Sequence, residues 1–176
     1  RDLAIAQIAI EASLTGHFVL STLHTNSAPE TITRLLDMDV EPFLIVASLE
    51  AVLAQRLVRS LCRHCREPYR PDEEEMDNLG LPDAWRTDTN LRLFRPKGCP
   101  ACDHVGYMGR TGLFELLTLD EAIRNMILER AMSFELRRYA RKHLGMRTLR
   151  EEGIIKCVQG LTSASEVMGH TDKFED

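Results

Sequence analysis

Four cysteines arranged in two Cys-x2-Cys pairs are the residues of this sequence best suited to chemistry. The pairs are Cys62 with Cys65 and Cys99 with Cys102, and 33 residues separate them. Each pair can direct two thiolates at one metal ion, and two pairs together complete a tetrahedral zinc shell. Because four sulfurs leave no coordination position for a substrate, the sequence predicts a structural zinc ion held by these four residues.

Two disulfides, or four unrelated thiols, are the alternatives to a metal site. Four cysteines allow three disulfide pairings, but no secretory signal accompanies them and cytosolic thiols stay reduced, so disulfides are disfavoured. The spacer between the pairs is longer than that of common zinc ribbons. His64 and His104 lie beside the pairs and could replace a cysteine as ligand, although four sulfurs already fill the shell.

The segment that carries the two pairs is small. From Leu61 to Val105 it has roughly 45 residues, close to the size below which a core needs a metal or a disulfide. Metal binding contributes on the order of 10 kcal/mol of apparent folding free energy at such sites, more than the ~2–4 kcal/mol of one disulfide. We therefore expect this segment to unfold when zinc is removed.

Composition and charge narrow the classes of protein to consider. The chain has 176 residues, 44% of them hydrophobic and 28% charged, which is typical of a globular protein with one large or two small domains. Its net charge of −5 argues against nucleic-acid binding by the whole surface, because phosphate binding depends on basic side chains.

The charge changes sign sharply within one short stretch. Five arginines between positions 56 and 70 accompany one acid, Glu67, and an acidic run from Asp72 to Asp77 follows. The arginines are Arg56, Arg59, Arg63, Arg66 and Arg70. The simpler interpretation is a solvated face followed by acids that start a helix. The alternative is a docking surface for an acidic partner or for anionic lipid head groups.

The apolar runs of the sequence are too short for a membrane span. The longest mainly apolar run, Phe43 to Leu49, falls well below the ~20 residues that a transmembrane helix needs. Any membrane association is therefore expected to be peripheral. The chain also begins without methionine, directly at a helix start, so we expect it to be a fragment of a longer protein.

Hydrophobic periodicity and cap residues predict the elements that position these groups. A helix from Leu3 to about Leu14, capped by Asp2 and covered on most sides, precedes a short buried strand from His17 to Leu23. A polar run follows at the carboxyl end of that strand, an arrangement typical of α/β domains in which ligands bind at this end. The remaining predicted elements are a helix from Ser27 or Pro29 to Met38, a helix from Pro42 to about Gln55, a strand Arg56–Leu61, an acidic helix Glu73–Gly80, a strand Leu91–Phe94, a glycine-rich loop Gly106–Gly112, a strand Leu113–Leu117, and helices Glu121–Arg130, Ser133–His143, Leu149–Gln159 and Thr162–Met168. Cys157 lies among apolar residues at helical spacing, which indicates a buried residue rather than a fifth ligand.

Several of these stretches, in this order, resemble the secretion ATPase superfamily, the hexameric motors of type II secretion and type IV pilus assembly. The segment Ile8–His17 followed by Leu20–Asn26 is similar to the histidine box of that family. Further similar stretches are Glu41–Phe43, Ala54–Arg59, the two cysteine pairs and Gly109–Leu117. The resemblance runs from Arg1 to about Glu166.

The resemblance implies an α/β fold, with the C-terminal part of a RecA-like P-loop ATPase core at residues 1–61. It implies an inserted four-cysteine zinc-binding subdomain at 62–105, and a C-terminal strand and helical subdomain at 106–176. Arg1 and Asp2 match the end of the family's Gly-Glu-Ile-Arg-Asp Walker B region. The P-loop and the preceding catalytic and Walker B glutamates lie upstream of this chain. ATP and Mg²⁺ are therefore expected in the full-length protein, and no hydrolysis is expected from this chain alone.

The resemblance also implies partners and a location. These are a homo-hexamer, the inner-membrane platform and cytoplasmic adaptor proteins of the machine, and a cytoplasmic position peripheral to the inner membrane. Contact with anionic lipid is compatible with this position, and nucleic acid is not expected. The pilus-retraction branch of the superfamily lacks the four-cysteine insertion, so the cysteine pairs favour the secretion or pilus-extension branch.

His24 is the candidate residue for sensing phosphate. At the end of a buried strand, its imidazole could bind the γ-phosphate or the attacking water, and the family pattern favours this role over that of a surface or capping histidine. The candidates for nucleotide binding or for a subunit interface are Arg1, Thr22, Thr25, Asn26, Arg34 and Arg110. Taken singly, each arginine is equally well explained as a surface residue.

Two other classes of function compete with the ATPase. One is a non-enzymatic zinc module that recruits a partner protein. The other is a zinc ribbon that binds nucleic acid through the arginines between positions 56 and 70. The second class predicts exposed aromatic residues among these arginines, and only Tyr69 qualifies.

Overall fold

A computed structural model of the chain describes residues 3–172. The described elements are α1 (Leu3–Leu14), α2 (Ala28–Asp37), α3 (Pro42–Ser48), β1 (Ala51–Leu61), β2 (Glu67–Tyr69), α4 (Glu73–Leu79), α5 (Asp83–Arg86), β3 (Leu93–Arg95), a 3-10 turn (Pro100–Cys102), β4 (Tyr107–Thr118), α6 (Glu121–Leu128), α7 (Ser133–His143), α8 (Leu149–Val158) and α9 (Ala164–His170). Strand β1 pairs with β4. Strand β2 pairs antiparallel with β3, with Pro68 opposite Phe94.

The chain divides into two compact units, each made of two chain segments. The first unit contains residues 3–54 and 115–146 of the described chain, and the second contains residues 55–114 and 147–172. The three subdomains expected from the sequence have their boundaries at 61/62 and 105/106, which follow the order of the motifs. This division stays a prediction.

Helices supply most of the core of the first unit. Its buried apolar side chains come from α1, α2, α3, α6 and α7, represented by Ile10, Ile32, Ile45, Ile123 and Leu136. Helix α2 begins where Ser27 accepts a hydrogen bond from the Glu30 N–H, and α6 begins in the same way at Asp120. These caps satisfy N–H groups that have no partner within the helix, and so they fix where each helix starts.

The core of the second unit joins the spacer between the cysteine pairs to the last helices of the chain. Met76 of α4, Leu93 of β3, Ile154 of α8 and Val167 of α9 belong to one buried cluster. Cys157 lies in the same cluster, fully buried, and burial raises the pKa of its thiol to about 12. The segment from 62 to 105 therefore shares its core with α8 and α9. The expectation that it unfolds without metal assumed a small core of its own, and the structure does not have that arrangement.

The strand predicted from His17 to Leu23 is wrong within this structure. Residues 17–25 form no helix or strand, and the side chains of Phe18 and Leu20 are 86% and 84% exposed. A strand requires a hydrogen-bonded neighbour, and no strand of the described residues 3–172 pairs with this segment. The expectation that α1 is covered on most sides is also wrong, because Ile8 is exposed and only Ile10 of this helix is buried.

The third helix and the glycine-rich loop are both shorter than predicted. Helix α3 ends at Ser48, and β1 already begins at Ala51, because the alternating side chains of the following residues suit the ladder with β4. Strand β4 likewise begins at Tyr107 and includes Gly109, whose positive φ of 75° suits a residue without a side chain.

Most other elements agree with the sequence prediction to within one or two residues. Helix α7 has the predicted bounds. Helix α4 ends at Leu79, and the next residue, Gly80, caps it in the left-handed conformation. Asp2, the predicted cap of α1, lies outside the described residues. Among residues 3–172, no helix has the length and apolar character that crossing a membrane would require.

Candidate metal centre and histidine loop

The four cysteines of the two pairs lie together in the second unit. Their sulfur atoms all lie within 4.8 Å of one another. The Sγ atoms of Cys62 and Cys99 are 3.9 Å apart, and those of Cys65 and Cys102 are 3.8 Å apart. Four ligands at the usual Zn–S distance of ~2.3 Å on a tetrahedron have sulfurs ~3.8 Å apart. The donor set and its spacing therefore fit one zinc ion.

The sulfur atoms are too far apart for disulfide bonds, in which the two sulfurs lie ~2.05 Å apart. All five cysteines are free thiols in this structure. Within residues 3–172, the group of side chains placed to hold a metal contains the four cysteines. His64 and His104, considered as substitute ligands, are exposed and lie outside this group. A set of four thiolates leaves no position for a reacting water, which favours a structural ion.

Tight backbone turns bring the two pairs together. The Cys65 and Arg66 N–H groups donate to the Cys62 carbonyl, and the Cys62 N–H donates to the carbonyl of Gly106. Gly98 has a φ of 97°, and a Cβ atom there would come within 2.4 Å of the His104 carbonyl oxygen. The second pair therefore requires glycine before it, because any side chain would clash with the backbone of the turn.

Two of the thiols have shifted acidity. Burial raises the pKa of the Cys65 thiol to about 11. Burial acts in the same direction at Cys102, but N–H groups of Cys99 and Gly106, 3.3 Å and 3.2 Å from its sulfur, outweigh it and lower the pKa of Cys102 to about 7. Such N–H groups stabilise a thiolate, the form that binds metal.

Three of the arginines between positions 56 and 70 make contacts within the second unit. Arg59 binds Glu166, Arg66 donates to the Gly160 carbonyl and lies over the ring of Phe94, and Arg70 donates to the Asp88 carbonyl. These contacts favour a structural role for the stretch over a docking surface.

The acidic run that follows the arginines starts and supports helix α4. Asp72 caps the helix by accepting from the Glu75 N–H, and the Glu75 carboxylate accepts a hydrogen bond from Tyr69. Asp77 pairs with Arg86. The interpretation of the acids from Asp72 to Glu75 as helix-starting residues is confirmed by this cap.

The segment Leu23–Asn26, here called the His24 loop, lies directly before α2 in the first unit. His24, Thr22 and Asn26 are exposed. The Thr25 hydroxyl lies 2.9 Å from that of Thr31. The Asn26 N–H donates to the Glu30 carboxylate at 3.2 Å, so the backbone of the loop is tied to the first turn of α2.

Buried side chains hold the start of α2, and the sequence analysis missed them. Glu115, on β4, accepts a hydrogen bond from the Ala28 N–H at 2.7 Å. Arg137, on α7, donates to the Ser27 hydroxyl at 3.2 Å and lies 3.8 Å from the Glu30 carboxylate. The sequence places Glu115 in an apolar strand, on the same face as Leu113 and Leu117. A carboxylate buried on that face requires hydrogen-bond donors, and this requirement could have indicated its role.

Two of the predicted arginine candidates, Arg34 and Arg110, make none of the contacts described above at the start of α2. Arg34 is exposed on α2, and Arg110 is exposed on β4. Arg1 lies outside the described residues. Their roles stay predictions.

The sequence is similar to secretion and pilus ATPases over nearly its whole length. A family model described as type II/IV secretion system protein matches residues 1–169. The chain is 49% identical over 168 residues to the type II secretion system ATPase E of Vibrio cholerae serotype O1. This alignment covers 96% of the present chain and 32% of the relative. It is 47% identical over 171 residues to the type IV pilus assembly ATPase PilB of Thermus thermophilus. This second alignment covers 97% of the present chain and 19% of that relative. The chain thus spans a third or less of these relatives.

Solved structures share the fold. The pilus retraction motor PilT with bound ADP matches 98% of this chain and 38% of its own, with a TM-score of 0.62 and 23% identity. The ATPase DotB of Legionella pneumophila matches 95% of this chain and 35% of its own, with a TM-score of 0.57 and 22% identity. These likenesses confirm the predicted α/β fold.

Proposed function

Because the chain belongs to the type II/IV secretion system protein family, we propose that it is the C-terminal part of a hexameric ATPase that powers type II secretion or type IV pilus assembly. The observation that carries the proposal is the match of the family model to residues 1–169. The names of the relatives, secretion ATPases and pilus assembly ATPases, support both machines. The complete protein then hydrolyses ATP with Mg²⁺, and energy from hydrolysis drives protein movement.

Within this motor, His24 contacts the γ-phosphate or the attacking water. Its exposure, in a loop whose backbone is bound to α2 at Asn26, supports this role, because a sensing group must be accessible and well placed. Thr25 and Asn26 supply further polar groups in the same loop, and Thr22 supplies one directly before it. The arginines at positions 1, 34 and 110 compensate phosphate charge or make subunit contacts.

One zinc ion held by Cys62, Cys65, Cys99 and Cys102 has a structural role in this motor. The ion supplies a cross-link between two parts of the chain that are 33 residues apart. The sulfur distances support the site. The division into an ATPase portion at 1–61, a zinc subdomain at 62–105 and a C-terminal subdomain at 106–176 belongs to the same proposal.

The motor works at the cytoplasmic face of the inner membrane, bound to the membrane platform and adaptor proteins of its machine. The involvement of the relatives in secretion and pilus assembly supports these partners. Contact with anionic lipid belongs to the same proposal, although three arginines of the basic stretch already have partners within the chain.

ATP turnover by two purified proteins tests the proposal. The complete protein that contains this chain should hydrolyse ATP as an assembly of six subunits. The chain of 176 residues alone should not, because its sequence has no Gly-x4-Gly-Lys-Ser/Thr motif to hold the β- and γ-phosphates. A complete protein without turnover, or turnover by the isolated chain after removal of contaminating ATPases, would contradict it.

A further inference from the structure

Two buried charged side chains hold the residues that connect the His24 loop to α2. The Ala28 N–H donates to Oε1 of Glu115 at 2.7 Å, and the Glu115 residue is only 1% exposed. Nη2 of Arg137 donates to the Ser27 hydroxyl at 3.2 Å, and the Arg137 side chain is 10% exposed. Both contacts join residues far apart in sequence, so neither is a local property of the loop.

The physical reason for these contacts is the start of the helix. The first N–H groups of a helix have no intrahelical acceptor, and the positive end of the helix dipole favours a negative charge. Glu115 provides both the acceptor and the charge at Ala28. Ser27 serves the same turn, since its hydroxyl accepts from the Glu30 N–H at 3.4 Å while it receives the bond from Arg137.

The position of the His24 loop depends on this helix start. The Asn26 N–H is bound to the Glu30 carboxylate, and the Thr25 hydroxyl lies against that of Thr31. Both partners lie in the first two turns of α2. A change in where α2 begins therefore moves the backbone that directly follows His24.

We propose that Glu115 and Arg137 are positioning residues that set the place of His24 in the active site. The proposal rests on the proposed function, in which His24 acts on the γ-phosphate or the attacking water. Because both side chains are buried, they act through Ser27 and Ala28 and not by contact with nucleotide. A displacement of about 1 Å at a reacting group can cost roughly 100-fold in rate, so small movements of the loop are sufficient.

Steady-state kinetics of the complete ATPase tests the proposal. Glu115→Gln removes the charge at the helix start, and Ser27→Ala removes the acceptor of the Arg137 bond. Each should lower kcat about 10-fold or more while KM for ATP changes less than about threefold. Asp37→Asn is the matched control, because it removes an exposed carboxylate from the other end of α2 and should leave kcat unchanged.

A double-mutant cycle with His24→Ala separates positioning from general stability. If Glu115 acts through His24, Glu115→Gln should cause little further loss of kcat when His24→Ala is already present. A structural role would instead lower Tm and reduce kcat by the same factor with and without His24→Ala. That result would overturn the proposal, as would an unchanged kcat in both Glu115→Gln and Ser27→Ala. If Glu115→Gln does not fold, the cycle of Ser27→Ala with His24→Ala decides alone.

Hydrogen exchange provides a readout that does not depend on turnover. In the complete ATPase without nucleotide, a peptide covering residues 20–31 should exchange faster in Glu115→Gln than in the parent, and Asp37→Asn should match the parent. Unchanged exchange in this peptide would overturn the proposal. A kcat that survives His24→Ala alone would overturn the role of His24 itself, which distinguishes failure of the proposed function from failure of the positioning by Glu115.

Discussion

The carboxylate of Glu166 accepts three hydrogen bonds from Arg59. Its Oε2 atom lies 2.8 Å from the Arg59 backbone nitrogen, and Oε1 lies 2.9 Å from Nε and 2.7 Å from Nη2. The Arg59 guanidinium also lies over the ring of Tyr107, whose hydroxyl is 2.8 Å from that of Ser163, the cap of α9. One ion pair thus attaches the first turn of α9 to strand β1.

Acid should weaken this attachment. Burial by itself would raise the pKa of Glu166, but the hydrogen bonds and charge of Arg59 outweigh it and hold the pKa below its usual value. The unfolded chain therefore binds a proton at higher pH than the folded one, and the stabilisation is present above the unfolded pKa and lost as pH falls through the folded pKa. Between about pH 6 and about pH 3, the free energy of unfolding should fall more steeply for the parent than for Glu166→Gln.

The measurement is urea unfolding of the 176-residue chain at several pH values. Glu166→Gln should cost about 1.5–3 kcal/mol near neutral pH, the range for a hydrogen bond to a charged group. Glu74→Gln, an exposed carboxylate on α4, is the control and should keep the slope of the parent. Identical slopes for Glu166→Gln and the parent would show that the ion pair does not contribute to stability.

A buried arginine joins the ends of two helices in the second unit. Arg150 donates to the Asn78 carbonyl at 3.0 Å and to the Thr171 carbonyl at 2.6 Å, near the carboxyl ends of α4 and α9. Burial lowers the pKa of Arg150, yet a guanidinium stays charged in proteins, and its charge is favourable at two helix C-termini. Arg150→Met should lower the free energy of unfolding by about 2–4 kcal/mol, because it leaves buried carbonyls without a donor.

Arg147→Met is the matched control for this change. The Arg147 side chain is 60% exposed and lies 3.8 Å from Glu152, so its loss should change stability by less than about 0.5 kcal/mol. Equal effects of the two substitutions in urea unfolding would refute the helix-joining role of Arg150.

Removal of zinc should loosen the cysteine turns without unfolding the second unit. The purified chain should contain about one equivalent of zinc. After chelation, residues 62–66 and 98–106 should lose protection from hydrogen exchange. Helices α4, α8 and α9 should keep theirs, because Met76, Ile154 and Val167 share a core without the metal.

Two observations would contradict the zinc prediction. One is metal-free protein with unchanged exchange throughout, which would exclude a structural ion. The other is complete loss of protection in α8, which would show that the shared core depends on the metal. Cys62→Ser should reproduce chelation, whereas Cys157→Ser should leave the zinc content unchanged, because Cys157 lies outside the ligand group.

Local chemistry made much of the fold predictable. Ser27, Asp72 and Ser163 each cap a helix through the side chain, and such contacts are encoded within four residues of sequence. The cysteine pairs were predictable for the same reason, since each turn needs a fixed short spacing. Long-range pairing was not encoded locally. The apolar run from His17 to Leu23 suits a strand by its composition, but its conformation depends on a neighbour.

The contact between Glu115 and the start of α2 could not be predicted from the sequence, also because it is a long-range contact. Glu115 lies 87 residues from Ala28, and nothing near either residue in the sequence indicates that they meet. A carboxylate between Phe114 and Leu116 on a strand indicates only that some donor must be present. The partner of a buried charge is a property of the packed fold, which is why the residues that hold the His24 loop were not predicted.

The last prediction concerns His24 in the complete ATPase. If the imidazole contacts the γ-phosphate or orients water as charge develops, His24→Ala should lower kcat by roughly 10- to 10³-fold and change KM for ATP less. Tm should change little, because His24 is exposed. A histidine that only caps local structure would give the opposite result, a loss of roughly 1 kcal/mol of stability with turnover per folded hexamer intact. Measuring kcat, KM and Tm on one preparation separates these outcomes, and intact turnover with a lowered Tm would remove His24 from the catalytic site.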